Sequence, residues 1–364
     1  MTVAEVGKLL DTLAPLHYAE DFDNVGLLVG NPESKITGIL VTLDTLEEVI
    51  DEAVQHNCNL VVSFHPIIFS GLKKLVGKTY VERVVIKAIT QNIAIFSPHT
   101  ALDNSILGVN HKICEVLGIQ SPKILIPKKG TIQKLTTYVP KDAAPSLRNA
   151  LFAAGAGNIG NYSNCSFSTI GTGSFNPGEH SNPTIGSKGN THFEEEIQLN
   201  ITFGSAVEQN VLDALFKNHP YEEVAYEVST LDNSNQNIGM GMIGSLESPM
   251  EEEDFLRFVK AKMDTPVVRH STLLGKKIQK VAVLGGSGAF AINAAKNAGA
   301  DIYITSDIKY HQFFEAEDQL VIADIGHFET EQFTKNLLVD FLKEKIPNFA
   351  VTLSESITNP IKYF

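Results

Sequence analysis

The stretch Ile36-Thr37-Gly38-Ile39-Leu40-Val41-Thr42-Leu43 is followed, after a helical pattern over 46–55, by Leu60-Val61-Val62-Ser63-Phe64. These two runs decide the fold. Each is apolar almost without alternation, the pattern of a strand buried on both faces of a mostly parallel sheet. The rhythm continues with a helix over 80–91, a third apolar run over 92–96 and a helix near 107–117. Strand–helix alternation of this kind predicts an α/β domain with helices on the sheet faces. Residues 278–345 repeat the rhythm, with strands predicted over 278–284, 301–305 and 320–325. Helices are predicted over 289–298, from His311, and over 329–343. At the start of the chain, Val3, Val6, Leu9, Leu10 and Leu13 fall on one face of an amphipathic helix.

Between the two blocks the composition changes. Residues 129–232 carry strands over 133–139, 193–203 and 224–228, helices over 144–154 and 207–218, and a Gly/Ser/Asn-rich section over 155–190. That section is too long for a plain loop and is expected to hold a further strand. The resulting order, β-α-β-β-α-β, predicts a ferredoxin-like α+β unit. Since both flanks read as parts of one α/β domain, the expected organisation is 1–128 and 233–364 as two halves of that domain, with 129–232 inserted.

Composition narrows the function classes. The 364 residues carry 29 Lys+Arg against 42 Asp+Glu, a formal charge of −13, which repels phosphate backbones and argues against a nucleic-acid binder. No apolar run reaches the ~18–20 residues of a membrane span, and the first residues lack the pattern of a secretory signal. Cys58, Cys114 and Cys165 form no CxxC pair, which points to a reducing compartment, and cytoplasmic location is the expectation.

Polar residues capable of chemistry fall just past apolar strands, where open α/β sheets bind their ligands. His65 ends the second run, and Pro66 holds it extended; a hydrogen-bonded structural histidine is the alternative. Asp103 follows the third run, where it is either a helix cap or a ligand, and His99 is a ligand or a partner that orients a carboxylate. His327 and Glu331, spaced i, i+4, share a helix face and suit one divalent ion, or form an ordinary ion pair. Two His and two carboxylates suit Zn, Fe, Mn or Ni. Gly285-Gly286-Ser287-Gly288 reads as a tight strand–helix turn, with anion binding as the lesser reading; it is neither a dinucleotide fingerprint nor a phosphate loop. Lys309 and His311 face either the same cleft or solvent. His219-Pro220-Tyr221-Glu222-Glu223 reads as a turn.

Five segments together resemble the NIF3-like (DUF34) family, whose bacterial members are often called GTP cyclohydrolase 1 type 2 homologues. They are Asp23-Asn24-Val25-Gly26-Leu27, Phe64-His65-Pro66-Ile67-Ile68-Phe69, His99-Thr100-Ala101-Leu102-Asp103, Gly285-Gly286-Ser287-Gly288 and Gly326-His327-Phe328-Glu329-Thr330-Glu331. The stretches 154–162 and 219–223 are similar to the PII/CutA-like insert of the family's longer members. The resemblance implies a two-metal site with one or two divalent ions per chain, a ring-shaped homohexamer, and a metal-dependent hydrolase acting on a small molecule. By position, His65 and Asp103 would hold one metal, His327 the other, and Glu331 would bridge them. The family usually has His-His-Pro where this chain has Phe64-His65-Pro66, so the second metal is expected to lack a ligand. The contrasting expectation is a non-enzymatic metal-binding or regulatory scaffold whose insert gates a cavity or senses a small molecule.

Overall fold

The structure, a computed structural model, describes residues 1–364. The chain divides into two compact units, Met1–Pro127 with Gln236–Phe364, and Lys128–Asn235.

The first unit contains two sheets. One is built from β1 (Gly26–Val29), β2 (Ile39–Thr42), β3 (Leu60–Ser63), β4 (Ala94–Ser97) and β15 (Val351–Leu353), in the order β1-β4-β3-β2-β15. Strands β15, β2, β3 and β4 run parallel, and β1 closes the edge antiparallel. The other uses β5 (Gln120–Lys128), β10 (Asn235–Glu251), β11 (Arg269–His270), β12 (Lys277–Ser287), β13 (Ile302–Ser306) and β14 (Val321–Asp324), in the order β11-β14-β13-β12-β10-β5. Here β12, β13 and β14 are parallel. The two α/β blocks therefore form two sheets, so the polar residues past the strands come from the ends of both.

The near-continuous apolar runs have a direct cause. Val41 and Val62 face one core while their neighbours Leu40 and Val61 face another. In the second sheet Val281 and Val283 face inward, and Ala282 and Leu284 outward. The inward core is shared by both sheets and by α1 (Val3–Leu13), α5 (Val109–Val116), α8 (Glu252–Lys262) and α11 (Thr334–Lys345). The outer face of the first sheet is covered by α2 (Glu47–Gln55) and α3 (Tyr80–Thr90), that of the second by α9 (Ile292–Asn297). Two short helices, α4 (His99–Asp103) and α10 (His327–Glu331), start where β4 and β14 end. No helix is long and apolar enough to cross a membrane, and all three cysteines are free thiols.

The second unit contains β6 (Ile132–Pro140), α6 (Ala144–Ala153), β7 (Phe167–Phe175), β8 (His192–Gly204), α7 (Glu208–Asn218) and β9 (Tyr226–Leu231). Its sheet is antiparallel throughout, ordered β7-β8-β6-β9. Leu135, Val139, Leu199 and Ile201 on one face pack against Leu147, Leu151, Val211 and Leu215 of the helices.

After β15 the chain continues across the carboxyl edge of the first sheet and is fastened by one buried carboxylate. Glu52 accepts from Ser354 Oγ at 2.6 Å, Glu355 N at 2.7 Å and Ser356 Oγ at 2.7 Å. Burial alone would raise its carboxyl, but these bonds outweigh burial and hold it below the usual range. A depressed folded pKa contributes stability above the unfolded value of ~4.3, and that contribution is lost as pH falls through the folded value. Glu52→Gln is therefore expected to cost ~1–3 kcal/mol at neutral pH, since bonds to a charged acceptor are replaced by bonds to a neutral one. In urea titrations at several pH values, the gap to wild type should shrink below about pH 4. A gap independent of pH would contradict this.

Candidate metal centre

The site is assembled at the carboxyl ends of the parallel strands of both sheets. His65 lies just past β3. Its N–H donates to Leu43 O at 2.9 Å, and Ser63 Oγ bonds both Leu43 O and His65 O, which fixes the two neighbouring strand ends together. Its ring Nδ1 faces Asp44 Oδ1 at 2.8 Å, just past β2. Across from it His327, the first residue of α10, faces Asp307 Oδ2 with Nδ1 at 2.7 Å. In both rings a carboxylate occupies Nδ1, which fixes the orientation and leaves Nε2 for the centre of the site.

Both Nε2 atoms point to one place. His65 Nε2 lies 3.1 Å, and His327 Nε2 3.2 Å, from the same Glu331 Oε2. All three atoms lie within 4.8 Å of one another. Neither ring nitrogen is aligned on that oxygen as a hydrogen bond, and Oε2 is buried without any other partner. Burial would raise the Glu331 carboxyl, yet the facing imidazoles pull it down to about 2. Burial would lower the two histidines, but the carboxylates around them raise His65 to about 10 and His327 to about 9.

Asp103, the last residue of α4, lies beside this cluster but is not part of the close set. Its Oδ1 is buried without a partner, and desolvation together with the charge of Glu331 raises its carboxyl well above the usual range. A divalent ion reverses that cost, because a carboxylate beside a cation is favoured charged. Two imidazole nitrogens, a carboxylate and an orphaned buried carboxyl oxygen fit a transition-metal ion.

His99 does not join the cluster. Its Nδ1 faces Asp23 Oδ1 at 2.8 Å, and Thr100 N and Oγ1 add to the same carboxylate. Burial opposes the charge on Asp23, but these partners hold it at about 2. Phe64 is wholly buried in the shared core, with its ring 4.9 Å from that of His65 and 5.5 Å from that of His99. Lys309 is exposed, and His311 packs on the rings of Tyr310 and Phe314. His219 is structural, with Nε2 3.0 Å from Tyr138 O.

The glycine-rich turn proves to be a cradle for Glu331. Gly286 has φ +71°, and a Cβ there would lie 2.4 Å from Glu331 Oε1. Its backbone N–H is already used by Thr330 Oγ1, and that of Gly285 by Asn110 Oδ1, so neither is free for an anion. Asn110 Nδ2 also donates to Asp103 O at 3.2 Å, so one buried side chain ties the two halves of the site. Ser287 Oγ donates to Asp307.

Sequence reading does not single out Asp44, Asp307 or Asn110 as parts of the site. Only the position of Asp44 and Asp307 just past apolar strands hinted at their part. Removing either outer carboxylate without changing its shape, by Asp44→Asn or Asp307→Asn, is expected to weaken divalent-metal binding ~10–100-fold while the fold is retained. Isothermal titration with Mn²⁺ or Zn²⁺ measures this, and unchanged affinity in both variants would contradict it.

The chain matches Duf34/NIF3 (NGG1p interacting factor 3) over residues 1–360. It is 36% identical over 364 residues to a Bacillus subtilis protein named GTP cyclohydrolase 1 type 2 homolog, covering 99% of this chain and 98% of that one. Among solved structures it is similar to a Bacillus cereus protein related to NIF3, with 36% identity, a TM-score of 0.83, and coverage of 100% of this chain and 99% of that one. A Staphylococcus aureus protein is similar at 28% identity with a TM-score of 0.81, covering 100% and 99%. With the family matched across nearly the whole sequence and relatives alike from end to end, the chain belongs to the Duf34/NIF3 family.

Proposed function

We propose that this chain binds a divalent transition-metal ion and acts as a metal-dependent hydrolase on a small molecule. The observation that carries the reading is the buried Glu331 Oε2, held between two imidazole nitrogens whose other ring nitrogens are each fixed by a carboxylate. His65 Nε2, His327 Nε2 and Glu331 are the ligands, and Asp103 is the buried carboxyl available to complete the set. A bound divalent ion supplies hydroxide near neutral pH by lowering the pKa of its water. Asp44 and Asp307 hold the imidazoles in place, and Gly286 lets Glu331 approach. A cleft of about 540 Å³, whose lining includes Asp44, His65, Tyr80 and Thr358, gives a small molecule access to the His65 side.

One ion per chain is the expectation, because Phe64 offers no ligand atom. The insert is read as a ferredoxin-like, PII/CutA-like domain, which its strand order and its two helices on one face support. A homohexamer is the assembly we propose; the exposed rings of Phe290, Tyr310 and Phe314 favour a buried contact with further copies. The test is metal content per chain, followed by turnover of a nucleotide and phosphoester panel with Mn, Zn or Fe. Metal-dependent turnover lost in Asp103→Ala and Glu331→Ala supports the enzyme. Stoichiometric metal without any turnover favours the second reading, a metal-binding or regulatory scaffold, for which the absent imidazole at Phe64 is the specific observation.

A further inference from the structure

The sheet of the second unit buries one face under α6 and α7, and its other face is built from different chemistry. Ile197 and Leu199 of β8 point to the helices, so Glu196 and Gln198 point the opposite way, as does Tyr138 of β6, paired with Gln198. The segment after β7 folds back over this face. It is tied by Asn182 N to Glu222 Oε1 at 2.6 Å and by Thr184 Oγ1 to Pro220 O at 2.9 Å. Between sheet and segment lies a cavity of about 560 Å³, within the range of small-molecule sites.

The lining of this cavity has one sign of charge. It includes Glu196, Glu222 and Glu223, and no Lys, Arg or His. Glu196 is 8% exposed and forms no ion pair; its Oε1 accepts from Tyr221 OH at 2.9 Å. Its side chain lies across β7 at Gly173, where a Cβ would stand 2.1 Å from Glu196 Oε2, so the strand is kept bare to seat this carboxylate. Gly171, directly opposite Glu196 in the ladder, opens onto free space. Aromatic faces complete the lining: Tyr138, Phe175 and Tyr221, the last two with ring centroids 5.9 Å apart. These carboxylates do not converge with other donors as metal ligands do; the close set of the chain is the one at Glu331.

A seated carboxylate in a partly apolar cavity, with aromatic faces and no competing cation, is the chemistry that recognises an ammonium or guanidinium group on an apolar body. We infer that the second unit carries a binding site for a small organic cation, with Glu196 as its charge partner and Tyr138, Phe175 and Tyr221 around its body. All of the lining residues belong to the second unit.

The test is ligand-observed NMR on the full chain with matched probes. Tyramine, phenethylamine and agmatine are the cations, tyrosol and 2-phenylethanol the neutral isosteres, and 4-hydroxyphenylacetate the anion. At least one cation should bind in the millimolar range or tighter, about tenfold or more above its neutral isostere, and the anion should not bind. Glu196→Gln keeps the shape and an acceptor for Tyr221, and should remove the preference for the cation; Gly173→Ala, which displaces the Glu196 carboxylate, should weaken the same probes. Circular dichroism confirms that both variants are folded. The inference is overturned if no cation binds up to ~10 mM, if neutral probes bind as well as cations, or if cation binding survives unchanged in folded Glu196→Gln.

Discussion

Glu331→Ala is expected to abolish stoichiometric divalent-metal binding, a larger loss than the ~100-fold that removal of an outer partner costs. Glu331 is the one residue that both histidines face, and it is the negative charge of the close set. Without it the two imidazoles retain their own carboxylates, Asp44 and Asp307, and the strand ends stay in place. The loss should therefore fall on the metal and much less on the fold. In metal-free protein, removing the charge that faces the two imidazoles is expected to cost ~1–3 kcal/mol, because they can go neutral in response. Thermal unfolding with and without Zn²⁺ or Mn²⁺ separates the two effects. Wild type should gain stability as metal is raised above its Kd, and Glu331→Ala should gain none. A metal-induced rise of equal size in both proteins would show that the ion sits elsewhere.

Gly286→Ala is the second change with a large expected effect, and it tests what the glycine-rich turn does. Alanine at φ +71° costs ~1–2 kcal/mol in backbone strain alone. The new Cβ, 2.4 Å from Glu331 Oε1, must also push the carboxylate out of line with the imidazoles. Metal affinity should fall at least ~10-fold, since small displacements of a ligand cost as much as loss of an outer partner. If the turn served to hold an anion through its backbone, the same substitution would leave cation affinity unchanged. Equal metal affinities for Gly286→Ala and wild type would thus reject the cradle.

How much of this was legible in the sequence follows from what each side chain faces. The runs at 36–43 and 60–64 read as strands because both sheet faces are buried, so no polar residue interrupts them. Such runs say nothing of which strand pairs with which, so two sheets could not be told from one. Strand β10 gave little signal: its glycines and polar ends carry weak β propensity, and its pairing with β5 and β12 comes from tertiary structure. His65, His327 and Glu331 were legible because they stand just past apolar strands and because the i, i+4 spacing of the last two survives in α10. Asp44 and Asn110 were not, because a polar residue after a strand or early in a helix is ordinarily a cap, and only the fold shows that each reaches across to another strand end. Asp103 was legible as a position but not as an environment, since the groups that raise its carboxyl include Glu331, more than two hundred residues away.

His65, His327 and Glu331 are expected to hold one cation between them. Crystals grown with Mn²⁺ or Zn²⁺ and measured at the metal's absorption edge test it most directly. A single anomalous peak per chain is expected, ~2.0–2.2 Å from His65 Nε2, His327 Nε2 and a Glu331 oxygen. A map with no peak among these three residues, or with the ion bound through other side chains, would contradict it.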